Sequence, residues 1–490
     1  MTAEARLVRA WHVPAWEGAE PDVATRVLPP ARTLDGEPPD TALAVPDLRR
    51  HHVAALARSL RGTSEALRDR PVGDVVRALG RVGERFLSVG DPLREEALAT
   101  LPGTSGLSPA MCREVLDGMA RDWTEDRLTR LLRAEFGDPR CLDRFVAEAD
   151  GETGGGRELR AMGSRLAFHL SAGSVPGVSA TSLVRSLLVK SPVLLKPGRG
   201  DVALPVLMAR ALAREDPGLA RAAAVIYWPG GDASAGLEQT ALEEADLVVA
   251  YGSDAVVRSL RSRLPATTPL VAYHHRLGFG IVGRAALTPD AVAGAAHRAA
   301  RSVGLFDQRG CVSPHVLFVE EGAGLEAFVA ALADGLEGLE RELPRGRVDT
   351  AEASAAQQLK GTFEMRRAAG QDVEVRAGRG GRWTVVLERG GRLVPSCLGR
   401  VVRVVPVEDA ADVPALVEDL GDHLQTAGVE GVPTDRLRTL AETLARAGVL
   451  RVAPLGKVAF PPAWWRHDGR GPLEVLARWV EMEGGGEPAP

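Results

Sequence analysis

Cys311 stands in FDQRGCVSPH, just after a glycine and an acidic–amide pair and just ahead of a Ser-Pro. The chain has four cysteines in 490 residues, and this one lies in the most polar stretch of its neighbourhood. A thiol so placed is either a small packing residue or a nucleophile. To act as a nucleophile it must ionise from a pKa near about 8.5. Asp307 and Gln308 read as residues that shape its loop rather than transfer protons. Cys112 and Cys141 fall in helical patterns and read as packing residues, and Cys397 ends a polar turn and reads as inert.

Two further stretches carry charge or backbone donors. In LLVKSPVLLKPGRGD, Lys196 ends an apolar run, Pro197 fixes the exit of the chain, and Arg199 follows on the same rim. Two cations at the carboxyl end of a strand suit a ribose phosphate, which a guanidinium grips through parallel hydrogen bonds. The competing reading is a solvated surface pair. In AYGSDAVVRSL, Gly252 permits close approach and Ser253 opens a helix whose first N–H groups suit a pyrophosphate. Taken alone, that motif is an ordinary strand–cap–helix junction. No G-x-G-x-x-G follows the first strand. His467-Asp468 in WWRHDGR invites a dyad reading, but packing of the terminal segment with Trp464 and Trp465 as buried anchors is simpler. His169 reads as a core histidine.

The elements that must position these residues follow from periodicity. Apolar spacings of three and four residues predict a mainly helical region over 1–160, with Ser108-Pro109 and Thr124 as helix starts and Gly137 as a stop. DGETGGGREL, from Asp150, reads as a linker. From Arg165 onward, RLAFHL, PVLLKP, AAAVIYWPGG, DLVVAYGS and PLVAYH alternate with amphipathic helices. That rhythm predicts an α/β fold with a parallel sheet over 161–282, and ligands gather at the carboxyl ends of such strands. The loops at Ser171–Gly177, Lys196–Gly200, Pro229–Asp232 and Gly252–Asp254 are expected on one rim. A second α/β unit over 283–445 carries Cys311. Residues 446–490 are expected to pack back on the body, with a frayed tail from about 482.

Composition narrows the class. The 60 basic and 65 acidic residues give a net charge of −5, the basic residues form no block, and aromatics are 4%, which argues against nucleic acid as a partner. The scattered cysteines exclude a disulfide framework or a zinc ribbon and suit a reducing cytosol, so no metal is expected. The first twenty residues lack the apolar core of a signal peptide, and no apolar run approaches the ~20 residues that span a bilayer.

Taken in order, the strand–KP lysine, the PGG turn, the strand–Gly-Ser–helix junction and the downstream cysteine resemble the aldehyde dehydrogenase superfamily. HLSAGSVPGVSATSLVRSLLVKSPVLLKPGRGD, FDQRGCVSPHVLFV and PPAWWRHDGRGPLEVLARWV sharpen this to the acyl-CoA reductase family, which includes the fatty-acid reductase of bacterial luminescence. The resemblance implies a two-lobed fold with a Rossmann-like cofactor domain. The implied activity is NADPH-dependent reduction of a fatty acyl thioester, on CoA or on an acylated protein, to the aldehyde. It makes Cys311 the nucleophile and assigns the cofactor to Lys196, Arg199, Gly252 and Ser253, with Gly230 of the PGG turn beside them. Arg199 stands where relatives preferring NAD carry an acid, which favours NADPH. Ser174 replaces the asparagine that helps hold the oxyanion, and a hydroxyl reaches less far. His274, His275 and Arg276 stand where hydrolytic dehydrogenases place a glutamate base, and His275 is assigned a proton relay. The cofactor-binding glutamate of the second lobe is replaced around Ser396-Cys397. An acyl-transferase or synthetase partner and self-association are implied by the family. The alternatives are an aldehyde-oxidising NAD(P) dehydrogenase and a catalytically silent acyl-transfer scaffold.

Overall fold

Alternating burial along each strand builds the first core. In Leu247–Tyr251, Leu247 and Val249 face one apolar cluster while Val248 and Ala250 face another. This is the two-residue period of a sheet covered on both faces. The strand belongs to a six-stranded sheet ordered Leu270–Tyr273, Leu247–Tyr251, Ala167–Leu170, Val193–Lys196, Ala223–Ile226 and Trp11–His12, parallel except for the last. Helices Val178–Leu188 and Ala203–Glu215 cover one face, and Arg50–Gly62 and Ala235–Glu244 the other. The helical region between 64 and 142 packs onto the first of these faces. The computed structural model describes residues 6–13, 26–28, 41–148 and 157–483. The linker expected at 150–156, most of the tail expected from about 482, and parts of the N-terminal region lie outside the described residues.

Strand registers bring the loops onto one rim. Leu170 pairs with Lys196, Ala250 with Leu170, and Tyr251 with Tyr273. The loops that leave Leu170, Lys196 and Tyr251 therefore start level with one another.

The second sheet has seven strands, ordered Val373–Ala377, Thr384–Glu388, Val401–Val407, Pro314–Glu320, Leu277–Val282, Leu424–Glu430 and Arg451–Pro454, with only the first antiparallel. Its faces are covered by helices Val292–Gly304 and Leu325–Glu342 on one side and Thr434–Arg446 on the other. Leu277–Val282 lies inside this sheet, so the chain crosses between sheets at His274–Arg276, ahead of the 282/283 boundary expected from sequence. Arg451–Pro454 likewise extends the second unit past residue 445. The terminal strand Ala477–Met482 returns to pair antiparallel with Glu158–Gly163. No helix among the described residues is long and apolar enough to cross a membrane.

Candidate active site

The Cys311 loop is built on strained backbone. Phe306, Asp307 and Gln308 adopt consecutive φ values of 56°, 50° and 67°, a left-handed run that L-residues avoid and that surrounding contacts must enforce. The facing turn Leu398–Arg400 is left-handed as well, at 66°, 64° and 65°. The two turns interlock. Arg400, fully buried, pairs with Asp307 at 2.9 Å and with Glu340 at 2.8 Å, and it donates to the Leu343 carbonyl. The Gln308 amide donates to the carbonyls of Pro314 (2.8 Å) and Val401 (3.0 Å) and accepts from the Val401 N–H (3.0 Å). Asp307 and Gln308 thus shape the loop, as their sequence context indicated.

This anchoring leaves Cys311 open to a cavity of about 480 Å³ between the two sheets. Burial pushes the thiol up to about 11, the Asp468 carboxylate pushes the same way, and Gln425 and Arg276 oppose it.

Asp468 is the residue that sequence reading placed elsewhere. Its carboxylate pairs with Arg276, Nε to Oδ2 3.1 Å, and accepts from the Gln425 amide at 2.6 Å; Arg276 also donates to the Leu424 carbonyl at 3.0 Å. The dyad reading of His467-Asp468 fails on geometry: the closest approach is 3.7 Å, and burial pushes His467 down to about 4. The imidazole instead stacks on Tyr273, centroids 4.3 Å apart. Trp464 and Trp465 are half-buried rather than buried anchors; Trp464 lies under Arg127 and Arg130, and Trp465 lines the cavity. The signal available in sequence was an acid next to a wall of aromatics in a segment expected to fold back.

The cavity wall on the helical side is apolar, with Met119, Val175, Val178, Phe306 and Phe460 among its members. Phe460 reaches it only because residue 118 is glycine. A Cβ there would lie 2.1 Å from the ring.

Cys311, Ser174, His275, Gly252 and Ser253 line this one cavity. Ser174 is exposed, and its loop is pinned by the buried Asp201, which accepts from Gly177 N (2.8 Å) and Ser179 N (2.7 Å). Gly173 packs on Gly198 so closely that a Cβ on Gly198 would lie 2.2 Å from Gly173 N. That contact joins the Ser174 loop to the Lys196–Gly200 loop. Arg199 and Ser174 line an adjoining cavity with Arg309 and Arg347. Lys196 lies outside both linings, its ammonium 5.7 Å from the Trp228 ring and 6.0 Å from Tyr227. Among the described residues it has no hydrogen-bond or ion-pair partner, and burial lowers its pKa. Gly230 is exposed with open space around its Cα. Ser253 caps helix Asp254–Arg263, its hydroxyl accepting from Val256 N at 3.4 Å. His169 is buried against Ser182 (2.7 Å), Cys112 and Cys141 are buried, and Cys397 is half-buried with burial pushing its thiol up. Ser396 donates to the Val401 carbonyl at 2.6 Å and its backbone N–H to His315, so this turn braces the Cys311 loop.

Comparison with known proteins agrees with this geometry. The chain is 24% identical over 415 residues to the long-chain acyl-protein thioester reductase of Aliivibrio fischeri, covering 84% of this chain and 82% of that one. It is 23% identical over 422 residues to the enzyme of the same name from Vibrio harveyi, covering 85% and 84%. A salicylaldehyde dehydrogenase from Pseudomonas putida superposes with a TM-score of 0.74 at 14% identity, over 99% of this chain and 100% of that one, so the fold is that of aldehyde dehydrogenases. Residues 67–479 match the acyl-CoA reductase (LuxC) family, and the chain belongs to that family.

Proposed function

We infer that the protein reduces a fatty acyl thioester to the aldehyde, with Cys311 carrying the acyl group. One observation carries the reading: both carboxylates that line the Cys311 cavity are held by arginines. Asp468 is paired with Arg276, and Asp122 accepts from Arg127 Nε at 2.9 Å. Neither is left as a base to activate water. The absence of a free carboxylate base among the described lining residues favours survival of a thioester on Cys311 until it is reduced. An aldehyde-oxidising enzyme needs that water.

The cofactor assignment rests on fit. Lys196 offers a half-buried ammonium with no partner among the described residues, and Ser253 opens a helix whose first amides favour anions. We assign the dinucleotide to these two residues together with Gly252. Arg199 supplies the positive charge that favours a 2′-phosphate, hence NADPH, and Gly230 leaves open space on the same side. When bound, the reduced nicotinamide supplies hydride to the acyl carbon.

The residues of this chain do the rest. Cys311 loses its proton on attack, forms the C–S bond, and expels the thiol of the donor. The apolar wall of Met119, Val175, Val178, Phe306 and Phe460 takes the alkyl chain. Ser174 donates to the oxygen that becomes negative in each tetrahedral state. Collapse of the thiohemiacetal breaks the C–S bond, returns the sulfur, and releases aldehyde. His275, exposed at the cavity wall, exchanges the proton with solvent.

Intact-mass measurement with thioester donors of graded chain length tests the reading. A single acyl adduct is expected on the wild type and none on Cys311→Ala, with aldehyde appearing on addition of NADPH. Acid formed from aldehyde, NADP and water would favour the oxidising alternative. An unlabelled Cys311 with every donor would favour a silent scaffold.

A further inference from the structure

Three side chains from three segments converge beside the cofactor helix. Asp254 begins helix Asp254–Arg263, His274 follows strand Leu270–Tyr273, and His423 precedes strand Leu424–Glu430 of the other sheet. One potential ligand atom from each lies within 4.8 Å of the other two. The two carboxylate oxygens of Asp254 face one imidazole each: Oδ1 lies 3.7 Å from His274 Nδ1, and Oδ2 lies 3.8 Å from His423 Nε2. Both separations are too long for a hydrogen bond. They approach the spacing of two ligands sharing an ion bound at about 2.0–2.2 Å to each.

Two further observations point to a ligand. Asp254 Oδ1 is shielded from solvent and has no hydrogen-bond partner, an uncompensated carboxylate oxygen. His423 is oriented as metal-binding histidines are. Its Nδ1 lies 3.0 Å from the His275 carbonyl, which can only accept, so that nitrogen carries the proton and Nε2 presents its lone pair toward Asp254. His274 Nδ1 also lies 3.2 Å from this carbonyl and is the atom that faces Asp254, so binding an ion there exchanges the carbonyl contact for the metal.

The geometry points to a divalent transition-metal site formed by Asp254, His274 and His423. Two imidazoles and one carboxylate suit zinc, cobalt or nickel rather than magnesium or calcium, which prefer oxygen. Three protein ligands leave a position for water or an anion. The ion ties the start of the cofactor helix to the second sheet and so couples the two lobes. This goes beyond the proposed reduction and does not depend on it.

Chelator-treated protein titrated with Co²⁺ and followed by visible absorption tests the site. A d–d band saturating at one ion per chain is expected, without the thiolate-to-cobalt charge transfer that binding at Cys311 would give. Asp254→Asn and His423→Ala should each weaken binding by at least about tenfold, the loss typical even of outer-shell partners. His297→Ala, an exposed histidine elsewhere, should leave binding unchanged. Zn²⁺ should displace the band and raise the unfolding midpoint of the wild type but not of His423→Ala. A featureless wild-type titration, a charge-transfer band, or a d–d band that survives both ligand substitutions would overturn the assignment.

Discussion

Arg276 and Asp468, remote in sequence, form an ion pair of 3.1 Å in the lining of the cavity that holds Cys311. The pair consumes the carboxylate and leaves it close enough to oppose ionisation of the thiol.

Removing that charge should make the cysteine more reactive. With the thiol pushed up to about 11, the wild-type rate of alkylation by iodoacetamide should climb roughly tenfold per pH unit between neutrality and pH 10. Asp468→Asn removes one opposing charge and frees Arg276 to favour the thiolate. Its rate profile, read by mass spectrometry at Cys311, should shift toward lower pH. An unshifted profile would show that Asp468 does not influence the sulfur.

The oxyanion role assigned to Ser174 predicts a loss confined to turnover. Ser174→Ala should lower kcat by about 100-fold, the usual cost of one such donor, with little change in KM. Ser174→Asn should retain activity at or above the wild-type rate. Steady-state aldehyde production measures both.

Specificity for the phosphorylated cofactor should reside in Arg199. Arg199→Asp is expected to reverse the preference between NADPH and NADH in kcat/KM, since an acid repels a 2′-phosphate and accepts from ribose hydroxyls. Equal preference before and after would sink the assignment.

The buried brace behind Cys311 should be costly to break. Arg400→Met leaves Asp307 buried without its guanidinium and is expected to destabilise the fold by about 3–5 kcal/mol in urea denaturation.

Asp201 imposes a pH dependence of the opposite kind to a surface carboxylate. Burial raises its pKa from 3.8 to about 7 against the pull of two amide hydrogen bonds. The folded state therefore holds a proton that the unfolded state has lost, and this contribution to stability falls as pH rises from about 4 to 7. Asp201→Asn should flatten that slope in denaturation midpoints measured across the range.

Much of the six-stranded sheet was legible in the sequence because its strands are short apolar runs separated by amphipathic helices. All five parallel strands fall inside the stretches PVLLKP, AAAVIYWPGG, DLVVAYGS, RLAFHL and PLVAYH that pattern alone marks. The second half was harder. Leu277–Val282 follows Leu270–Tyr273 after only three residues, so one apolar stretch conceals two strands in different sheets. Leu424–Glu430, LQTAGVE, is polar in composition although Gln425 and Thr426 are fully buried. Helix Thr350–Ala368 buries only Phe363 and so carries almost no apolar stripe. Cys311 and the loops before it were singled out through ordered motifs. Asp468 was not, because its meaning depends on Arg276 and Gln425, which only tertiary packing brings to it.

The order in which the polypeptide emerges during synthesis gives the terminal segment a further significance. The six-stranded sheet and the thiol-bearing loop leave the ribosome well before Phe460, Trp465 and Asp468, which close one side of the cavity. Until those residues arrive, and strand Ala477–Met482 fastens onto Glu158–Gly163, the sulfur lacks that side of its cavity and its neighbouring carboxylate. Nascent chains and truncated products therefore pass through a stage in which Cys311 is more open to electrophiles than it is in the finished molecule.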